Sequence, residues 1–319
     1  MKVLVTGGGG FIGSHIVERL LADGEEVRVL DNFATGRREN LLPFLDHIDL
    51  VEGDLQSYER AHNAVLGCDY VFHQAALPSV PRSVQDPLTS NASNVIGTLN
   101  VLLAARDSGV QRVVFASSSS VYGAVETLPK SEDLPTLPIS PYAVAKSAAE
   151  GYCRAFNAVY GLETVALRYF NIFGPRQDPL SQYAAVIPNF ITAALEDRPV
   201  TIFGDGEQSR DFTYVANVVD ANLRALTSPS ASGNAYNVAC GARYSLNDLV
   251  QEIGRATGRE IEVHHAAERP GDVKHSQADI SAAERDLGYT PAVDLEEGIR
   301  RTLAFYEGSR SEPAGRALG

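Results

Sequence analysis

Short β-branched runs alternate with amphipathic stretches through the first half of the chain. Strand-like runs fall at Lys2–Thr6, Val27–Asp31, Leu50–Glu52, Tyr70–His73, Arg112–Ala116 and Thr164–Arg168. Helical patterns lie between them. In "DPLTSNASNVIGTLNVLLAARDSG" the apolar positions Leu88, Ala92, Val95, Leu99 and Leu102 step by four and three. That spacing predicts one helix with one buried face, and Gly109 follows as its stop. Strands alternating with helices predict βαβ units, right-handed crossovers and a parallel sheet. Beyond about Arg168 the regularity breaks. "NIFGPRQDPLSQ" is rich in turn formers, and "VIPNFITAALEDRPV" reads as one helix. "TIFGDGEQSRDFTYV" reads as loops between short strands, and helix and strand pieces of a smaller lobe follow from "YSLNDLVQEIGRATG". The expected layout is a doubly wound α/β sheet over residues 1–170 that the chain rejoins near 212–240. An interleaved α/β lobe over 171–310 and a frayed tail at 311–319 complete it.

Composition narrows the class. The 319 residues are 44% hydrophobic and 21% charged, an ordinary globular balance with length for a large core. A formal net charge of −13 argues against a nucleic-acid or anionic-membrane partner. There is no apolar run of about 20 residues to span a membrane. The chain runs straight into "KVLVTG", so no signal peptide is expected. Cys68, Cys153 and Cys240 have neither metal-type nor CxxC spacing and read as reduced core thiols of a cytoplasmic protein. His264 and His265 are adjacent, point apart on a strand and make no metal site.

Two stretches carry chemistry. "VTGGGGFIGSHIVERLL" follows the first strand and opens a helix, with Gly7, Gly10 and Gly13 in G-x-x-G-x-x-G spacing. Glycines there allow a tight turn and close backbone approach to a pyrophosphate, which the helix N-terminus attracts. Asp31 ends the second strand, 18 residues after Gly13. A carboxylate there accepts hydrogen bonds from a ribose and repels a 2′-phosphate, favouring NAD over NADP. Arg37 and Arg38 are the residues that would receive such a phosphate. "GDL" puts Asp54 and Leu55 after the third strand, beside an adenine edge. In "SPYAVAKSAAE", Tyr142 and Lys146 are four apart and share a helix face. The ammonium and an oxidised nicotinamide favour phenolate, which is expected to bring the tyrosine pKa from about 10 toward neutrality and make it a general base.

The chain resembles the extended short-chain dehydrogenases/reductases, and within them the sugar-nucleotide 4-epimerases of the UDP-glucose/UDP-galactose type. The likeness runs from Val3 to about Phe305, on "TGGGGFIGSH", "DNF", "GDL", "FHQAA", "SSSSVYG", "PYAVAK", "LRYFNIFGP", "RDFTYV" and "ERPGDV". It implies a Rossmann-type sheet, bound NAD and a UDP-sugar substrate. It implies that Phe11 and Ile12 line the pyrophosphate turn and that Asp31 and Asn32 hold the adenosine ribose. Asp54 and Leu55 would flank the adenine. Ala75, Ala76 and Asn94 would lie along the cofactor, with Tyr169 near the nicotinamide. Tyr142 would be the base, and Lys146 would orient the nicotinamide ribose. Asn171 would contact the sugar-nucleotide diphosphate, Arg210 and Arg269 would clamp its phosphates, and Asp272 would hold the uridine ribose. The family is commonly a homodimer built on a helix pair, here Leu88–Arg106 and Ala143–Tyr160.

The serines after the fifth strand choose the reaction. Ser117 and Ser118 are expected to face cofactor and sugar, with Ser118 the catalytic serine and Ser120 a second sugar contact. Relatives that dehydrate or decarboxylate carry an acid just before the Val-Tyr-Gly equivalent; here Ser119 and Ser120 stand there. A hydroxyl has no accessible pKa for elimination, so C4 inversion through a transient 4-keto sugar is expected. Ser276, where relatives for unsubstituted sugars carry a tyrosine, leaves room for an N-acetyl group. Both the UDP-glucose/galactose and the UDP-GlcNAc/GalNAc pairs are therefore expected to enter. UDP-glucuronate is the alternative substrate, with Arg176 in "FGPRQD" meeting its C6 carboxylate. A dehydratase ranks lower for want of that acid, a non-catalytic NAD-binding regulator because Ser118, Tyr142 and Lys146 are all present, and a reductase releasing NADP⁺ also ranks lower.

Overall fold

The computed structural model describes residues 1–179, 185–268 and 274–311. Seven parallel strands form the central sheet. The first half supplies β1 (Lys2–Thr6), β2 (Glu26–Asp31), β3 (Ile48–Glu52), β4 (Tyr70–His73), β5 (Arg112–Ser118) and β6 (Glu163–Tyr169). Between them run helices α1 (Phe11–Ala22), α2 (Tyr58–Val65), α3 (Val80–Gln85), α4 (Pro87–Asn91), α5 (Gly97–Asp107) and α6 (Pro141–Tyr160). The second half holds β7 (Ile172–Phe173), α7 (Val186–Leu195), β8 (Val200–Phe203), β9 (Ser209–Arg210), β10 (Thr213–Tyr214), α8 (Val215–Thr227) and β11 (Ala235–Val238). β12 (Tyr244–Ser245), α9 (Leu246–Thr257), β13 (Val263–Ala266), α10 (Ser281–Leu287) and α11 (Leu295–Ser311) end it.

The strand order is β11-β6-β5-β4-β1-β2-β3. Order reverses between β1 and β4, so a crevice opens beyond their C-terminal ends, where such sheets bind ligands. The strands are near-continuous apolar runs because both faces are covered. One face packs under α1 and α8 around Val3, Val5, Val114, Val165 and Val218. The other packs under α2, α5 and α6 around Leu4, Val71, Phe115, Ala149 and Phe156. A third core of α7, α9 and α11 residues lies beyond the strand ends, and Phe11 and Ile12 of α1 pack against it. The chain rejoins the sheet at β11, in register with β6.

The helix expected over Leu88–Arg106 runs without a break from Pro87 to Asp107, but it does not keep one buried face. Ala92–Ile96 winds as a π-helix between α4 and α5. The extra residue in that turn rotates what precedes it. Leu88, placed by its spacing on the buried face, is 82% exposed, while Leu102 is fully buried. The fifth strand also runs two residues past its expected end, to Ser118.

Candidate active site

The crevice beyond β1 and β4 is built first by glycine. A Cβ on Gly7 would lie 2.7 Å from the Ala75 backbone, and one on Gly13 would lie 2.1 Å from the Gly7 carbonyl. α1 therefore starts tight against β1. Its N-cap is Gly10, no side chain caps it, and no acid sits in its first turn. The leading N–H groups, those of Phe11, Ile12 and Gly13, thus lack a side-chain cap, as an anion site requires. Asp31 is 7% exposed at the end of β2. Its carboxylate accepts from the N–H of Gly9 (2.9 Å) and of Phe33 (2.7 Å). Burial pushes this carboxyl up, and those two donors hold it down. Asn32 donates to Asp54 at 3.0 Å, so the "DNF" and "GDL" loops meet, with Leu55 buried beside them. Arg37 pairs with Asp178 and Glu39, and Arg38 with Glu52, so both arginines face acids. These groups fit a dinucleotide with a free ribose 2′-hydroxyl. Ala75 and Ala76 are half-buried after β4, on the crevice side of Gly7.

Asn94 differs from expectation. It is 1% exposed, and its amide both donates to and accepts from the Leu77 backbone (3.2 and 2.9 Å). Its polar atoms hold the loop after β4 rather than facing a ligand. Tyr169 pairs in register with Ser118 on the neighbouring strand. Its hydroxyl bonds Gln74 (3.1 Å) and Asn222 (2.8 Å), at the switch point.

α6 positions the reacting hydroxyl. Ser140 caps its N-terminus and Pro141 occupies the first turn. The Tyr142 N–H donates to Ser83 of α3 at 3.0 Å. The Ser118 hydroxyl lies close enough to that of Tyr142 to favour its ionisation. Lys146, 3% exposed, donates to the Ala116 carbonyl at 2.8 Å, 5.9 Å from the Tyr142 ring centre. Burial pulls Lys146 down to about 8. Burial pushes Tyr142 up to about 12, against the Ser118 hydroxyl, which lowers it. Lys146 is drawn to the Ala116 carbonyl, so a second positive charge is needed to make phenolate.

The serine run divides by strand parity. Successive strand residues face opposite sides of a sheet, so Ser117 and Ser118 cannot share the crevice. Ser117 is 3% exposed and donates to Glu150 on the α6 side, a correction to its expected place at the cofactor. Ser118 reaches Tyr142. Ser120 Oγ is buried without a partner.

Asn171 and Arg210 line a cavity of about 270 Å³ between β7, α7, β8 and β9. Asn189, Phe190, Phe203, Gln208 and Phe212 complete its polar and aromatic wall and were not singled out from the sequence. Asn189, an amide inside the apolar run of α7, was their one available signal. Asn171, at φ +40°, donates to the Asp211 carbonyl at 3.2 Å. Arg210 donates to the carbonyls of Ser209 (3.0 Å) and Lys274 (3.1 Å). Ser276 is half-buried nearby, its N–H on the Ser209 carbonyl at 3.0 Å. Arg269 and Asp272 lie outside the described residues. Arg176 is turned toward α1: it donates to Glu18 at 2.5 Å and lies 5.7 Å from the Phe44 ring centre. No contact among the described residues joins it to Tyr142. Among the described residues no metal cluster occurs, and no helix is long and apolar enough to cross a membrane.

The model of the NAD dependent epimerase/dehydratase family matches residues 3–239. A UDP-glucose 4-epimerase of Mycolicibacterium smegmatis is 41% identical over 310 residues, 96% of this chain and 98% of that protein. A UDP-N-acetylglucosamine 4-epimerase from Methanobrevibacter ruminantium, solved with UDP-N-acetylmuramic acid, is 43% identical with a TM-score of 0.92, covering 97% and 98% of the two chains. A UDP-glucuronic acid 4-epimerase from Bacillus cereus, solved with UDP-glucuronic acid and NAD, is 32% identical with a TM-score of 0.89, covering 97% and 100%. With its uncapped glycine turn, its acid at the end of β2 and its tyrosine–lysine helix, the chain belongs to the NAD-dependent epimerase/dehydratase family.

Proposed function

We propose that the protein inverts C4 of a UDP-hexose, taking both UDP-glucose/UDP-galactose and UDP-GlcNAc/UDP-GalNAc. The observation that carries this reading is the Ser118–Tyr142 hydroxyl pair above Lys146, with hydroxyls and no acid in the turn that follows. NAD, which the glycine turn before α1, Asp31 and Lys146 would hold, would supply the hydride acceptor and donor at C4 and a second positive charge beside Tyr142. As phenolate, Tyr142 takes the C4 hydroxyl proton, relayed or steadied by Ser118, while hydride leaves C4. The sugar, now a 4-ketone, turns about its diphosphate linkage and presents its other face. Hydride and the Tyr142 proton return to C4 and its oxygen, and phenolate is restored. Nothing is consumed, so no external reductant is required.

Turning requires a tight hold on the nucleotide and a loose hold on the hexose. The cavity of Asn171, Asn189, Phe203 and Arg210 supports the first, with Arg269 and Asp272 proposed to join it. The small Ser276 side chain supports entry of an N-acetyl group. The exposed apolar residues Leu88, Val144, Tyr152 and Val159 support a homodimer through α4–α6. The test is incubation of the purified protein with a panel of UDP-hexoses, no cofactor added, and resolution of the C4 epimers. Interconversion of both pairs is expected. Turnover of UDP-galactose with none of UDP-GlcNAc would remove the N-acetyl arm, and turnover of neither pair the whole reading.

A further inference from the structure

Behind the Ser118–Tyr142 pair lies a buried polar cluster that the proposed reaction leaves unused. Tyr142, Lys146 and Glu150 follow at four-residue steps along one face of α6. Glu150 is 6% exposed, and Arg168 of β6 is 3% exposed. Arg168 grips both carboxylate oxygens, Nε at 3.0 Å and Nη2 at 2.8 Å. Ser117 donates to the same carboxylate. Arg168 also donates to the Tyr122 hydroxyl (2.9 Å), which donates to Asn237 of β11 (2.7 Å). Apolar residues of equal volume often stabilise a core as well as a buried ion pair does. Stability is therefore a weak reason for this pair, and its place points to another.

The titratable and charged groups around Lys146 are Tyr142, Glu150 and Cys153 on its own helix, His73 on β4, and Arg168 on β6 beyond Glu150. β5 offers the Ala116 carbonyl and the Phe115 ring. Burial keeps His73 neutral, pulling it down to about 3, and pushes the Cys153 thiol up. Tyr142 is likewise neutral before ligand binds. Among the described residues, Glu150 is the negative charge left to oppose the desolvation of Lys146. It also ties β5 to α6 through Ser117, whose next neighbour is Ser118.

We propose that Glu150, clamped by Arg168 and Ser117, is a positioning residue: it is the counter-charge to Lys146 and fixes the end of β5 so that Ser118 meets Tyr142. This rests on the reaction proposed above only for its kinetic arm. The chain has four lysines, Lys2, Lys130, Lys146 and Lys274, so lysine-selective isotope labelling isolates Lys146, identified by its loss in Lys146→Met. In the protein as purified, Glu150→Gln should lower the Lys146 titration midpoint by about one pH unit, because a buried charge a turn away has been removed. The alkaline limb of kcat should move to lower pH with it. Glu150→Asp should keep the wild-type midpoint. Ser117→Ala keeps every charge, so its midpoint should not move, while kcat falls several-fold at unchanged KM. A folded Glu150→Gln protein with the wild-type midpoint overturns the counter-charge, and Ser117→Ala with wild-type kcat overturns the clamp. If Glu150→Gln does not fold, Ser117→Ala decides alone. Wild-type protein that turns over no UDP-hexose removes the functional reading instead, and the Lys146 titration still reports on Glu150.

Discussion

Tyr142 sits between burial, which keeps its proton on, and the Ser118 hydroxyl, which favours its loss. Its chemistry therefore depends on a hydroxyl at that atom and not on shape. Tyr142→Phe should lower kcat about 10²- to 10⁴-fold, the usual worth of a general base. It should leave NAD content and melting temperature near wild type, read by cofactor extraction and calorimetry. Ser118→Ala removes one hydrogen bond to a charged oxygen, worth about 1.5–3 kcal/mol, so kcat should fall roughly 10- to 100-fold. Near-normal turnover in that variant would leave Ser118 a strand-end cap for Ser120, whose N–H it also accepts at 3.2 Å. The pair itself was legible in the sequence because residue type and helical spacing define it. The partition of Ser117 from Ser118 was equally available in the two-residue period of a strand, once β5 is carried through to Ser118. The state of Tyr142 was not, because desolvation is a property of packing.

At the scale of elements, α1 is the most constrained. An alanine Cβ at position 13 would lie 2.1 Å from the Gly7 carbonyl oxygen and 2.9 Å from the Gly8 Cα, so the helix must lift from β1. Overpacking of this kind costs about 1–3 kcal/mol, and here it also moves the uncapped N–H groups. Gly13→Ala should lose copurifying NAD and melt at lower temperature; full NAD content would show that the turn is not the pyrophosphate site. The six strands of the first half were readable because a strand buried on both faces is a continuous apolar run between turns. The two-residue strands of the second half were not: Ile172–Phe173 and Thr213–Tyr214 pair with each other because the intervening chain folds back. The π-turn at Ala92–Ile96 has no sequence period of its own, and it moves Leu88 out beside the exposed positions of α6. If that face joins two copies, Leu88→Lys with Val159→Lys should give a monomer by sedimentation with helical content retained. A wild-type chain that is already monomeric would retire the dimer.

Across the whole molecule, the sheet is closed at its switch point by a histidine that must stay neutral. His73 is fully buried, with Nδ1 at 2.7 Å from Thr6 of β1 and Nε2 at 2.9 Å from Thr98 of α5. Burial pulls its pKa down to about 3. His15 of α1, within 3.0 Å of the Pro175 carbonyl, is pulled down to about 4 by burial and by Arg176. An unfolded histidine titrates near 6.5. Both folded values lie below it, so the unfolded chain binds the extra protons, and the stability these residues contribute is complete above about pH 6.5 and lost as pH falls. Between about pH 6.5 and 5 each gives up roughly 2 kcal/mol at most. Asp211 works in the opposite sense. It is fully buried, accepts from the N–H groups of Cys240, Gly241 and Ala278, and is raised to about 6 by burial. The folded state holds that proton more tightly, so acidification from about pH 6 to 5 returns roughly 1 kcal/mol. The histidines outweigh it. Unfolding free energy should therefore drop by about 2–3 kcal/mol from pH 7 to 5, measured by denaturant titration at each pH. His15→Gln should make that decline shallower by removing one of the two terms, whatever it does to stability at pH 7. A wild-type free energy that stays level across the range would mean that these histidines reach water.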